Sequence, residues 1–233
     1  MRLSNRLRMV AGMVPCCNAV ADVGCDHAYL SVWLLREGTA RYAYACDVRK
    51  GPLAKAAETI RFFHMQERAE TVLCDGLAGL RPGDAQVIVM AGMGGELTTR
   101  ILTDGEEVAT AADTLILQPQ SDWELVRKRM YAMGYAIADE QCVYEDGKYY
   151  LCLRAERKGT KEPAYSGAEF SYGRILPDRG DMTYLAWLTE ECDKKTAMLL
   201  RLAEADTPAA AERAESAAEE LRELVGVIRR FGV

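Results

Sequence analysis

Residues 19–27, Ala-Val-Ala-Asp-Val-Gly-Cys-Asp-His, set Asp22, Gly24, Asp26 and His27 close together on the chain. The apolar run reads as a short strand that passes through a tight glycine turn into a helix opened by Asp26 and His27. Gly24 permits backbone torsions that a Cβ forbids and lets a ligand come close to the chain. In an α/β sheet ligands bind beyond the carboxyl ends of the strands, so this turn is the expected floor of a cofactor site. The dinucleotide fingerprint G-x-G-x-x-G is not met, because Asp26 stands where its second glycine belongs. A carboxylate there repels a pyrophosphate and attracts a cation. A ligand with a positive centre is favoured, and S-adenosylmethionine has two, a sulfonium and an ammonium. His27 reads either as a general base or as a hydrogen-bonding group of a first helical turn. Tyr29 reads as a platform for a base or as a core side chain.

Two more strand-like runs end in aspartate. Asp47 closes Tyr-Ala-Cys-Asp, 21 residues after Asp26. At such a position a carboxylate accepts ribose hydroxyls, although it can also cap the helix ahead of Gly51-Pro52. Asp75, in Cys-Asp-Gly-Leu, can accept an adenine amine or form an Asx-turn with Gly76. Met90-Ala-Gly-Met-Gly-Gly95 leaves backbone bare after a further strand. Gly92-x-Gly94 keeps a dinucleotide oxidoreductase in view, but no glycine stands at 97 and the next strand ends in Gln118-Pro119-Gln120 without a carboxylate.

The elements that must position these residues alternate. Strands are expected at about 19–24, 42–47, 70–74, 86–91 and 113–118, and helices at about 27–37, 51–64, 94–103 and 122–133. That rhythm predicts an α/β fold with a parallel, doubly wound sheet. A helix over 2–14 precedes it. Runs at 136–144 and 148–155, joined by Glu145-Asp146-Gly147, predict a hairpin. Residues 156–181 read as a linker. Helical stretches at 182–206 and 208–231 follow, with apolar residues at coiled-coil spacing and Lys195 as the polar exception.

Length and composition bound the rest. The 233 residues carry a net charge of −6, against a chain that coats nucleic acid everywhere. Eight cysteines without a C-x-x-C pair read as reduced, buried side chains of a cytoplasmic protein. With two histidines no metal site is expected. The arginine-interrupted N-terminus is no signal peptide, and no run is long enough to span a membrane. Arg2, Arg6 and Arg8 form a cluster without a neighbouring acid in sequence. Arg127-Lys128-Arg129, Lys148, Arg154, Arg157, Lys158 and Lys161 add local positive charge.

Together, Asp22-Val-Gly-Cys-Asp-His-Ala-Tyr-Leu30, Gly51-Pro-Leu53, Asp75-Gly-Leu77, Ala91-Gly-Met-Gly-Gly95, Leu117-Gln-Pro119 and Glu145-Asp-Gly-Lys-Tyr149 resemble the bacterial tRNA (adenine-22) N1-methyltransferases, the TrmK family. The resemblance implies a class I methyltransferase fold, a Rossmann-like doubly wound sheet with an antiparallel C-terminal strand. It implies a methyltransferase domain over 1–156, and a linker with a helical coiled-coil hairpin over 157–233 that helps to hold tRNA. It implies S-adenosylmethionine over the first turn, held by Asp22, Gly24, Asp26, His27, Asp47, Asp75, Gly76 and Gly92. In such a reaction the acid that replaces the dinucleotide glycine, Asp26, is expected to stabilise the cationic product base, with His27 orienting it or contacting the cofactor. Arg2, Arg6, Tyr29, Met93 and Gln118 are the candidate contacts to RNA. The acid-rich hairpin departs from a phosphate-gripping surface. A monomer is the first expectation for the assembly. A small-molecule or protein methyltransferase and a non-catalytic RNA- or cofactor-binding module are the alternatives.

Overall fold

In the computed structural model the apolar runs become strands of one seven-stranded sheet. The described residues are 1–157, 165–205 and 207–232. Helix α1 (Asn5–Met13) leads into strand β1 (Cys17–Val23), helix α2 (Tyr29–Arg36), β2 (Ala40–Asp47), α3 (Lys50–Phe62) and β3 (Ala69–Leu73). Then come β4 (Val87–Met93), α4 (Gly95–Asp104), α5 (Glu106–Ala111), β5 (Thr114–Pro119), α6 (Trp123–Ala132), β6 (Tyr135–Glu145) and β7 (Lys148–Arg157). The sheet order is β3-β2-β1-β4-β5-β7-β6. The first five strands are parallel, and β7 runs antiparallel to both β5 and β6.

Strand order reverses between β1 and β4, where Val20–Val23 lie beside Val87–Met90. Gly24 and Gly92 therefore sit at the topological switch point, the place where open α/β sheets bind ligands. The strands beneath are apolar on both faces, as helix-covered strands must be. Val20, Ala21, Ile88, Val89, Leu115 and Ile116 are fully buried.

Several expectations need correction. Helix α1 starts at Asn5 because Ser4 caps it, its hydroxyl accepting from the Leu7 N–H. Asp26 and His27 do not open α2, which starts at Tyr29; they lie in the turn before it. Helix α5 lies between the expected helix at 94–103 and strand β5, and the segment expected as linker holds α7 (Gly167–Tyr172) and α8 (Ile175–Arg179). In α7, Ser166 and Glu169 form a capping box, and the Arg174 guanidinium holds the Glu169 carboxyl down to about 2. Arg127-Lys128-Arg129 is no free basic patch. Arg127 is buried against Glu140, Lys128 pairs with Glu124, and Arg129 pairs with Glu106. Only Cys25, Cys46 and Cys152 of the eight cysteines are buried. Lys158, Lys161 and Asp206 lie outside the described residues.

The chain divides into two compact units, Met1–Pro163 and Ala164–Val233. In the second, α9 (Met182–Glu204) and α10 (Pro208–Arg229) pack on each other. Asp181 caps α9, and Thr207 with Pro208 starts α10. Lys195, the polar member of the seam, forms an ion pair with Glu220 of α10. No helix among the described residues is long and apolar enough to cross a membrane.

Candidate active site

Two adjoining hollows open at the carboxyl ends of the parallel strands. The first, of about 280 Å³, is lined by Gly24, Asp47, Asp75, Gly76, Met93 and Arg100 among others. The second, of about 350 Å³, is lined by Arg6, Asp22, Asp26, His27, Tyr29 and Gln120 among others. Gly24, Arg49, Ala91 and Gly92 belong to both.

The floor between the hollows is bare backbone for a steric reason. Gly24 has φ +75°, and a Cβ there would lie 3.0 Å from the Met93 methyl. Gly92 has φ +85°, and a Cβ there would lie 3.3 Å from Arg6 Nη1. Any side chain at either position would strain the backbone and fill the passage.

The turn beyond Gly24 is tied to β2. The N–H groups of Gly24 and Cys25 both donate to the Cys46 carbonyl, at 2.9 and 3.0 Å. Asp26 and Ala28 are held in the left-handed region at φ 49° and 55°. Strain of this kind concentrates at functional sites. It aims Asp26 and His27 at the second hollow, with Asp26 Oδ2 3.6 Å from His27 Nε2. The His27 ring stacks on Tyr29, centroids 5.5 Å apart and planes 6° from parallel.

Asp22 lies under this turn. Its carboxylate is buried and accepts from Ser31 Oγ at 2.7 Å. Burial pushes its pKa up to about 6, and the Ser31 hydrogen bonds only partly oppose that. Asp47 ends β2 nearly buried, with Oδ1 accepting from the Arg49 N–H at 2.8 Å. Asp75 differs from the other carboxylates, because Arg100 of α4 grips both its oxygens at 2.9 and 3.1 Å. That grip keeps the Asp75 carboxyl below its ordinary range. Cys46 and Cys74 also line the first hollow, where a hydrogen bond with Cys46 lowers the Cys74 thiol to about 7.

The cluster of N-terminal arginines is not free of acids in space. Glu145, in the β6–β7 hairpin, accepts from the N–H groups of Asn5 and Arg6 at 2.6 and 3.0 Å. These bonds hold its carboxyl below the ordinary range and dock α1 against the sheet. Arg6 then reaches inward. Its Nη1 donates to Gln118 Oε1 at 2.8 Å, and its guanidinium lies 5.7 Å over the Tyr150 ring.

The structure does not bring the five candidate RNA contacts to one hollow. Gln118 is fully buried and orients Arg6 instead of facing a hollow, because β5 turns it into the sheet's interior. Met93 lines the first hollow and not the second. Arg2 lines neither, but a third hollow shared with Tyr29. The residues missed are Arg49, Arg100 and Gln120. Gln120 carried one signal, since it follows Gln118 by two positions at a strand end.

Comparison with known proteins agrees with this geometry. A family model described as a methyltransferase domain matches residues 3–153. The tRNA (adenine(22)-N(1))-methyltransferase of Bacillus subtilis is 35% identical over 176 residues, 76% of this chain and 74% of that protein. The crystal structure of the B. subtilis m1A22 tRNA methyltransferase TrmK superposes with a TM-score of 0.89, at 29% identity, covering 97% of this chain and 99% of that one. Streptococcus pneumoniae Sp1610, solved in complex with S-adenosyl-L-methionine, superposes with a TM-score of 0.87 at 28% identity, covering 97% and 100%. Sequence and structure thus place the chain in the tRNA (adenine(22)-N(1))-methyltransferase family.

Proposed function

We propose that this chain transfers a methyl group from S-adenosylmethionine to N1 of adenine 22 in tRNA. The observation that carries the reading is the pair of hollows meeting over Gly24 and Gly92, with carboxylates along both.

These residues suit that cofactor. Asp47 sits where a buried carboxylate can accept ribose hydroxyls, and Asp75 with Gly76 borders the space for an adenine ring. Asp22 and Asp26, beside the second hollow, supply negative charge for an ammonium. When bound, S-adenosylmethionine supplies an electrophilic methyl group on a sulfonium centre. The second hollow then receives the target adenine. That base has to leave its stack first, because N1 is hidden inside a duplex.

Adenine N1 carries a lone pair at neutral pH, so no side chain must remove a proton before transfer. The task left to the protein is alignment and charge. Asp26 offsets the positive charge that develops on the base, and His27, close to it, fixes its direction. Arg6 closes the side of the hollow over Gly92. Gln120 offers both a donor and an acceptor, the pair that reads N6 and N7 of adenine and leaves N1 free.

The test is incubation with methyl-labelled S-adenosylmethionine and two tRNA transcripts, with adenine or guanine at position 22. Label in the first alone, recovered as 1-methyladenosine, supports the reading, and label in both moves the target nucleotide. Label in neither, with cofactor bound, ends it. In the same assay Asp26→Asn lowers kcat by roughly 100-fold, the cost of removing one charge-stabilising group. A variant that keeps kcat and loses only cofactor affinity would remove Asp26 from that role.

A further inference from the structure

Phe62 is the most exposed of the large apolar side chains among the described residues, at 76%. It ends α3 and lines a third hollow, of about 660 Å³, with Met1, Arg2, Tyr29 and Phe63. Tyr29 is 45% exposed and lines the second hollow as well, so the third hollow continues from the place proposed for the target base. Phe62 is braced from below. It meets Phe63 edge-on, centroids 5.0 Å apart at 85°, and Arg36 lies 5.2 Å over the Phe63 ring. An aromatic ring supported in this way and left open to water is a platform without an occupant.

We propose that the third hollow is a second base-binding subsite, in which a nucleotide next to the target adenine stacks on Phe62 while Arg2 meets its phosphate. This rests on the function proposed above. Turning one base out of a stack leaves its neighbours without a partner, at a cost of a few kcal/mol. Stacking a neighbour on an aromatic ring offsets that cost, and it does so for any base because every base has a π-face. Of the charged side chains lining the hollow, Arg2 suits a phosphate and Glu58 does not. The subsite therefore takes its affinity from the base rather than from the backbone. A second copy of the chain is the poorer occupant, since a protomer seated over Tyr29 would cover a wall of the target hollow.

The experiment measures tRNA binding by fluorescence anisotropy for the full chain and for Phe62→Ala, Phe62→Leu and Phe62→Trp. Cofactor affinity is followed by calorimetry. Phe62→Ala and Phe62→Leu are expected to weaken tRNA binding between about 5-fold and 150-fold, the range of one lost base–aromatic stack. Cofactor affinity stays unchanged. Phe62→Trp is expected to keep wild-type affinity, and its added indole emission should be quenched by RNA. Wild-type tRNA affinity in Phe62→Ala overturns the subsite, because the side chain then contributes nothing, and so does wild-type affinity in Phe62→Leu, because apolar contact without stacking would then suffice. So does a wild-type dimer in light scattering that Phe62→Ala converts to a monomer. The two readings fail separately. Absence of methylation by the wild-type chain ends the transferase reading, whereas binding that ignores the aromatic ring at 62 ends this one.

Discussion

Asp22 shows how one carboxylate can be useful and costly at once. It is buried beneath the Gly24 turn with Ser31 as its hydrogen-bond donor, and its pKa is raised from 3.8 to about 6. A carboxyl whose folded-state pKa exceeds its unfolded one makes folding most favourable below the unfolded value. That contribution is lost as pH rises through about 6. Asp22→Asn keeps an oxygen for Ser31 and removes the buried charge. The variant should therefore be more stable than wild type at pH 8, by on the order of 3 kcal/mol. Below about pH 4 the difference should vanish, because the aspartate is then neutral in both states. Denaturant unfolding at a series of pH values measures this, and a difference that does not change with pH would refute it. Under the function proposed above, this buried charge beside the second hollow is the one offered to the cofactor's ammonium.

Helix α6 is joined to strand β6 by a buried ion pair, in which Arg127 Nε and Nη2 donate to Glu140 Oε1 at 3.1 and 2.9 Å. Both side chains are almost wholly enclosed. Glu140→Ala leaves a cation buried without its carboxylate and should cost about 3–5 kcal/mol. The double variant Arg127→Met with Glu140→Leu should recover most of that loss, since a well-packed apolar pair replaces an ion pair at little cost. Thermal melts of the two variants decide it, and a double variant as unstable as the single would contradict it. This pair also marks where the sequence ceased to be legible. Three cations in a row read as a surface patch, and only the fold shows that Arg127 meets Glu140 of β6 and Arg129 meets Glu106 of α5, while Lys128 meets Glu124 one turn back on its own helix. The five parallel strands and long helices were readable because each is a local apolar run or stripe. The insertion of β7 between β5 and β6 was not, because that order depends on contacts between distant residues. At the site, Asp22, Gly24, Asp26, Asp47, Asp75 and Gly92 could be found as strand ends and turn residues. Arg100 on Asp75 and Glu145 on α1 could not, since each reaches its partner across 25 or more positions. The start of α2 differs from the expected one because Asp26 and His27, polar residues just past the Gly24 turn, read as the opening of the helix. The hydrogen bonds to the Cys46 carbonyl and two left-handed residues hold Cys25–Ala28 as a turn instead.

At the scale of the whole molecule the question is how a chain of net charge −6 binds a polyanion. Glu212, Glu215, Glu219, Glu220 and Glu223 all lie on α10, so that helix is a poor surface for gripping phosphates. Near the hollows the cations are few. Arg6 is already engaged with Gln118, Arg100 is committed to Asp75, and Arg2 and Arg49 remain the more open ones. Binding that neutralises only a few phosphates releases few counterions, and its salt dependence is correspondingly shallow. Each phosphate contributes roughly −0.7 to −0.9 to the slope of log K against log salt concentration, so contacts from these two to four arginines give a slope between about −1.4 and −3.6. Anisotropy titrations of tRNA between about 50 and 200 mM salt measure it. A slope in that range, together with the aromatic dependence argued for Phe62, would describe an enzyme that holds RNA by bases and shape. A slope of about −6 or steeper would mean that tRNA engages further basic residues, of which the sequence offers Lys148, Lys158 and Lys161. Arg2→Ala separates the cases. It should flatten the slope by about one if Arg2 meets a phosphate, and leave it unchanged if the charge sits elsewhere.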